Sequence, residues 1–450
     1  MKSIIACALL MVTVGVAGIA IAKDEPRTLI QNTAVFDGES SELLLDHDVL
    51  VEGNLIAAVG QGLEADGATV IDGSGYTLVP GLTDAHVHLT IIDRPEIAIF
   101  KNHWAFNGAV AAAMAEQMLM RGFTTVRDLG GPVSGLKKAI DEGVVQGPRI
   151  LGSGPVISQT SGHGDFEITD QYLGDAFPSA PSKQELFGWS NLADGVPEVT
   201  KAARLALRTG ASQIKVMVGG GVSSPYDPLD ASQYSLDELR AIVAEATNWG
   251  TYVSVHAFTD DAVNRAIDAG AKSVEHGPFL TERTLQRMAA EGVWLSPQVF
   301  LTALTPEQLG IAGTANGIKM AKVNENSTRV MELASDIGVD VAWGTDTFGP
   351  ARLQANQSRE FAARRQFFSD IDILRQATSG NARLFALSGE RHPYREGPLG
   401  VIKPGAYADL LLVKGDPTRD ISVLGEPNAN IRLIMKDGVV VKNALSSQPL

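Results

Sequence analysis

Apolar and polar positions change rhythm twice along the chain. From Arg27 to about Tyr76 they alternate in short runs broken by turn residues, as in TLIQNTAVFDG, HDVLVEGNLIAAVG and ATVIDGSG, which predicts strands with one buried face. After Val401 the same rhythm returns in VIKPGAYADLLLVKGDP and RLIMKDGVVVKN. The two ends are expected to pair as one small β-sandwich domain, residues 23–80 with 390–450.

Between them the pattern lengthens. Continuous apolar runs, LTDAHVHL, FTTVRDLG, RILGSGPVIS, QIKVMVGG, YVSVHAF, SVEHGPF, VWLSPQVF and VDVAWGTDTFG, alternate with helical stretches such as AVAAAMAEQMLMRG, VTKAARLALRTG, SLDELRAIVAEATNWG and DAVNRAIDAG. Strands without a polar face belong to parallel sheets covered by helices on their outer side. Eight such units over 81–389 predict an α/β architecture, a (β/α)8 TIM barrel, with functional groups at the C-terminal ends of its strands. The stretch from His163 to about Glu198 is polar, Pro-rich and weakly periodic, and reads as a loop over the barrel mouth.

Composition changes the picture in three ways. With 450 residues, 44% of them hydrophobic, the chain can bury a large core, and its formal charge of −15 argues against nucleic acid or an anionic membrane as partner. Residues 1–22 carry one Lys, an apolar run and Ala20-Ile21-Ala22, the layout of a signal peptide, with an uncleaved anchor as the alternative. Cys7 is the only cysteine, so a mature chain beginning near Lys23 has neither disulfides nor thiolate chemistry. A bacterial periplasmic or secreted location is expected, with no stable membrane insertion after cleavage.

Any metal must therefore sit on histidine and oxygen ligands. Polar residues interrupt the apolar strands at matching places: His86 and His88 one residue apart, hence on one side of a strand, then Lys215, His256, His276 and Asp346. Taken singly, each has a plainer explanation. A lone His can be a bonded core residue, Lys215 can pair with a carboxylate such as Asp128, and Asp346 can cap a turn before Phe348-Gly349-Pro350. Their joint recurrence at successive strand ends favours convergence on one site, because each buried polar group would otherwise be a standing cost.

PGLTDAHVHL, QIKVMVGGG, VSVHAF, SVEHGPF and AWGTDTFG together resemble the metal-dependent amidohydrolase superfamily, and DLLLVKGDP is similar to its returning C-terminal strand. Ser161-Gly162-His163-Gly164, Tyr226-Asp227-Pro228 and Gln233-Tyr234-Ser235 resemble its imidazolonepropionase-like branch, which includes prolidase-like dipeptidases, carboxypeptidases and ochratoxin-hydrolysing amidases. The resemblance implies two divalent metal ions, usually Zn2+. His86, His88 and Asp346 would bind one, His256 and His276 the other, and Lys215, carboxylated by carbon dioxide to a carbamate, both. Such a pair activates water for attack on an amide, with Asp346 as general base. His163 and Tyr234, with Tyr226 as competitor, would hold the substrate. His163 is counted among the catalytic residues with Asp346 and Lys215, although it can equally be a loop residue. Tyr234 can equally pack against the following helix, for which Ser235 is a candidate N-cap.

The expected activity releases a C-terminal amino acid from dipeptides or N-acyl amino acids, ochratoxin-like amides included. The substrate is a small molecule or short peptide with a free carboxylate, and the resembled proteins suggest a homo-oligomer. A cyclic-amide hydrolase or deaminase of the same superfamily is the alternative, and Lys215 argues against the deaminases that use one metal. A non-catalytic barrel is disfavoured, since none of the expected ligands is missing. His47, His103 and His392 fall outside the pattern, and Gly219-Gly220-Gly221, followed by no Gly-Lys-Ser/Thr, is read as room for close backbone approach rather than a phosphate loop.

Overall fold

The computed structural model describes residues 26–166, 181–224 and 226–445. The expected leader, 1–22, lies outside the described residues, as does 167–180 of the expected mouth loop. Among the described residues, no helix is long and apolar enough to cross a membrane.

In chain order the strands are β1 (Arg27–Val35), β2 (Leu44–Glu52), β3 (Leu55–Gly60), β4 (Thr69–Asp72), β5 (Tyr76–Pro80), β6 (Leu82–Val87), β7 (Phe123–Asp128), β8 (Arg149–Gly152) and β9 (Val156–Ser158). Then follow β10 (Ser190–Leu192), β11 (Ile214–Met217), β12 (Val253–Ala257), β13 (Ser273–His276), β14 (Trp294–Ser296), β15 (Leu410–Lys414), β16 (Ile431–Lys436) and β17 (Val439–Asn443).

Both chain ends enter one sheet, ordered β17-β16-β15-β5-β1-β2-β3, with β4 also on β1. The sequence predicts a sandwich; the structure instead bonds these strands into a single mixed sheet. The reason is β5, which pairs antiparallel with β15 and parallel with β1 and so stitches the two ends together.

The middle strands are parallel and, apart from β10 and the end of β13, fully buried, in two sheets ordered β6-β7-β8 and β10-β9-β11-β12-β13-β14. Two predicted strands differ in detail. RILGSGPVIS splits into β8 and β9, because Gly154 takes a left-handed backbone (φ 69°) before Pro155, which lacks an N–H donor. VDVAWGTDTFG forms isolated bridges, Leu295↔Val341 and Val87↔Thr347, rather than a regular strand. Side chains take its ladder bonds: Asn381 Oδ1 accepts from Trp343 N (2.9 Å) and Asp84 Oδ1 from Thr345 N (3.1 Å). The segment still runs between β14 and β6, with Ala342 N donating to Leu295 O (2.9 Å), Ala85 N to Trp343 O (2.8 Å) and Asp346 N to His86 O (2.7 Å). Part of the expected mouth loop is ordered as helix Lys183–Leu186 and strand β10.

Apolar helix faces cover the parallel strands. In helix Leu236–Asn248, Leu239, Ile242 and Ala246 are buried at helical spacing, and Ser235 with Glu238 closes a capping box at its start. Helix Asp260–Ala269 packs Val263 and Ile267 into the same core and ends on the left-handed Gly270.

The parallel and mixed sheets are joined through a buried charge. Arg149 of β8, 2% exposed, bonds Asp409 and Asp437, and its guanidinium lies 4.2 Å from the Tyr407 ring centre. Arg149→Met would strand the buried Asp409 carboxylate, so unfolding free energy is expected to fall by about 3–5 kcal/mol, read as a lower denaturant midpoint.

Candidate metal centre and active site

β6 delivers the first ligands. His86 is 1% exposed, and its Nε2 lies 3.3 Å from Nε2 of His88. Asp346, carried by the segment beside β6, places Oδ1 3.4 Å from His86 Nε2 and 3.2 Å from His88 Nε2. Among the described residues, these three form a convergent His/carboxylate donor group able to hold a metal ion. His256 of β12 and His276 of β13 continue the cluster: ring centres are 5.1 Å apart for His86 and His276 and 4.5 Å for His276 and His256. Asp346 and His276 both adopt left-handed backbones, φ 51° and 77°. Such conformations cost roughly 1–3 kcal/mol each and gather where function fixes a side chain's direction.

Second contacts decide which nitrogen of each histidine is left as a lone pair. His86 Nδ1 bonds Glu275 Oε2 (2.9 Å), His88 Nδ1 bonds Gly130 O (3.2 Å), His276 Nδ1 bonds Gln298 Oε1 (2.6 Å) and His256 Nε2 bonds Gly220 O (3.0 Å). Each of these partners is an acceptor, and for His86 Nδ1 the carboxylate at 2.9 Å is closer than the Gln298 amide nitrogen at 3.3 Å, so the bonded nitrogen carries the proton and the other is a free ligand atom. Burial, chiefly, pushes His86 down to about 4, His276 down to about 3 and His256 well below the ordinary value, which keeps these imidazoles neutral. Burial also opposes charge on His88 and Asp346, but the Asp346 carboxylate raises His88 in spite of it, and His86, His88 and His276 around Asp346 hold that carboxyl below the usual range.

Lys215 of β11 is 1% exposed, and its Nζ has no hydrogen-bond partner among the described residues. Burial pushes it down to about 8, against the pull of Glu275 and Asp346, and its own charge lowers His86, His256 and His276. Pairing with Asp128 is not what the structure shows: that carboxylate accepts from the backbone N–H groups of Leu89 (2.7 Å) and Gly130 (3.2 Å). An orphaned buried amine beside four histidine lone pairs and a carboxylate is a donor set that fits bound divalent metal.

His163 lies against this cluster, its ring stacked on His256 at 4.0 Å and 16°. Its Nδ1 faces Ser224 Oγ at 2.8 Å and Asp227 Oδ2 at 3.3 Å. The glycine run has a visible role. The Gly221 backbone lies so close to the His163 ring that a Cβ there would overlap it, while Gly220 supplies the carbonyl that orients His256. Gly221→Ala is expected to displace His163 and reduce kcat/KM about 100-fold with metal content retained, checked by steady-state kinetics and elemental analysis.

Tyr234 takes the packing alternative. It is 4% exposed, belongs to the core under helix Leu236–Asn248, and donates its hydroxyl to Ala193 O (3.0 Å). Tyr226 is 39% exposed. His103 N-caps helix Trp104–Met120, away from the cluster. Sequence reasoning missed Glu275 and Arg127, both fully buried: Arg127 Nη2 bonds Glu275 Oε1 (2.8 Å), which also accepts from Ser254 (2.7 Å) and Ser273 (2.6 Å). The signal was present as opposite charges inside two apolar strands, TVRD and SVEH. It also missed Gln298, on the short loop after β14.

A model of the amidohydrolase family matches residues 77–441. The chain belongs to the amidohydrolase family. This amidohydrolase is 31% identical to ochratoxinase of Aspergillus niger over 81% of its own length and 75% of that protein's. A prolidase crystallised with N-methylphosphonate-L-proline matches at 34% identity and TM-score 0.85, covering 93% of this chain and 100% of the other. A Xaa-Pro dipeptidase with bound methionine matches at 30% and TM-score 0.80, with the same coverage. These likenesses place the chain in the expected branch and make it a hydrolase of carbon–nitrogen bonds; the family is generally metal-dependent, and the His86, His88 and Asp346 group is one that could hold an ion.

Proposed function

We propose that this amidohydrolase removes a C-terminal amino acid from dipeptides or N-acyl amino acids at a binuclear centre. The observation carrying the binuclear reading is Lys215, a buried amine without a hydrogen-bond partner among the described residues, whose charge reaches His86, His256 and His276. His86, His88 and Asp346 would hold one divalent cation and His256 and His276 the second, with zinc the default among the several divalent ions such donors accept. A carbamate formed from the Lys215 amine and carbon dioxide would bridge them. Bound there, the pair supplies Lewis-acid polarisation of the scissile carbonyl and water acidic enough to react at neutral pH.

The chain's own groups do the rest. Asp346, kept ionised, takes the proton from the attacking water and returns it to the departing amine. His163, its Nδ1 engaged with Ser224 and Asp227, turns Nε2 toward the substrate's carbonyl or terminal carboxylate. An apolar recess of about 80 Å³ lined by Phe300, Leu301, Leu304, Phe348 and Leu353 opens beside Asp346 and suits an apolar substituent, as in ochratoxin-like amides.

The segment 340–347 between β14 and β6 supports a closed barrel over 81–389, with 23–80 and 390–450 as its companion domain. The leader-like 1–22 supports export to the periplasm or beyond, and the multimeric habit of the resembled proteins a homo-oligomer. The test is a panel of dipeptides, N-acyl amino acids and cyclic amides with product analysis. Release of a free amino acid is expected; turnover of cyclic amides alone, or release of ammonia, overturns the reading.

A further inference from the structure

We propose that Lys319 is a positioning residue for catalysis, acting through the loop after β11 to hold His163; this rests on the reading of His163 as a substrate-contacting group. Lys319 projects from helix Ala315–Ile337, remote in sequence from every residue of the cluster. Its ammonium spends its three hydrogens on three backbone carbonyls of one loop, Gly221 O (3.0 Å), Ser224 O (3.0 Å) and Asp227 O (2.7 Å). The side chain is 17% exposed and its Nζ lies 4.0 Å from Asp227 Oδ1.

A loop whose carbonyls converge on one point needs a cation there, since each carbonyl dipole repels the others. The convergence also turns the loop's side chains the opposite way. Asp227 Oδ2 accepts from Gly221 N (2.8 Å) and faces His163 Nδ1, and Asp227 Oδ1 accepts from Ser224 Oγ. Asp227 and Ser224 are 3% and 0% exposed, so this carboxylate has traded water for His163, Ser224 and the Lys319 charge. On the other side, Gln233 Oε1 accepts from His163 N (3.2 Å), and Gln233 is itself anchored by its N–H to Val218 O (2.8 Å). His163 is thus fixed in tautomer by Asp227, in plane by His256, and in depth by Gly221. Lys319 holds the loop that supplies the first and last of these.

The mechanism predicts coupling. Lys319→Met keeps the length and apolar stem but releases the carbonyls, and is expected to lower kcat/KM about 100-fold, the usual cost of misplacing a reacting group by about 1 Å. His163→Ala should cost at least as much, and the double variant no more than His163→Ala alone, because both act on one contact. Metal content of Lys319→Met should stay at the wild-type level. Asp227→Asn, which leaves the carbonyl staple intact, should couple to His163→Ala in the same way and keeps the test open if Lys319→Met does not fold. Additive losses in the double variants, or loss of metal in parallel with activity, would sink the proposal while leaving His163 in place. An unchanged kcat/KM in His163→Ala would instead remove His163 from the reaction, and with it the role assigned to Lys319.

Discussion

Lys215→Ala is expected to cut amide hydrolysis about 1000-fold or more and to lower metal content from about two equivalents per chain to about one or fewer. The size follows from what Lys215 is asked to do. Among the described residues its buried Nζ has no hydrogen-bond partner, a costly arrangement for an ammonium and a reasonable one for a neutral amine. Burial that pushes the amine down to about 8 leaves a larger neutral fraction, and only the neutral form reacts with carbon dioxide. The product is an anionic oxygen ligand that balances two dications among otherwise mostly neutral histidines. Alanine removes that bridge, and the His256 and His276 pair, lacking a carboxylate of its own, should lose its ion first. Elemental mass spectrometry of the purified variant reads this directly. A carbamate carbon signal in the wild-type protein grown or equilibrated with 13C-bicarbonate, absent in the variant, gives a second readout independent of turnover. Partial recovery by short-chain carboxylates, which fit the space the side chain vacates, would show that an oxygen bridge is what was lost. One equivalent of metal, indifferent to the substitution, would make the centre mononuclear and return the deaminase reading.

Most of this site was legible because strand geometry is simple. His86 and His88 share a side by the two-residue period of a strand, and the recurrence of His256, His276 and Asp346 at strand ends, with Lys215 inside the neighbouring β11, needs only the rule that parallel strands present their C-termini together. The structure brings His86, His88, His256, His276 and Asp346 onto one cluster, with Lys215 buried on the adjacent β11. What the pattern could not give were features made by partners far apart. Glu275 and Arg127 read singly as oddities in apolar strands; they become a stabilised pair only when β13 and β7 face each other across the interior, where Glu275 also orients His86. For Tyr234 the resemblance implies a substrate contact and the following helix a packing role; its hydroxyl is claimed by Ala193, a carbonyl from the segment before helix Val196–Arg208 and far off in sequence. Lys319 gave no local signal: it lies in KMAKVNENSTRV, where polar residues alternate too closely with Met320, Val323 and Val330 for an apolar stripe to stand out. The eighth strand lost its regular ladder for the same kind of reason, since Asn381 and Asp84 side chains replace backbone partners.

Asp346→Asn is expected to lower kcat by about 100- to 10000-fold, with a much smaller change in KM, the pattern of a group whose contribution is made in the transition state. The substitution is nearly isosteric, so the amide oxygen can still approach His86 and His88 from the segment beside β6, and the left-handed backbone at this position, φ 51°, is one that asparagine tolerates well. Two things are lost. The charge that draws His88 upward disappears, and the oxygen can no longer take a proton from water and hand it to the leaving amine. Metal content separates these losses. If both equivalents remain and kcat falls, Asp346 is the proton-transfer group; if metal falls in step with kcat, its work is ligation. Full residual hydrolysis would take Asp346 out of the mechanism altogether. A substrate with an activated leaving group sharpens the distinction, because it needs no proton on departure. The variant should recover on such a substrate by the part of the loss that belongs to leaving-group protonation, and the remainder measures what Asp346 contributes to activating water.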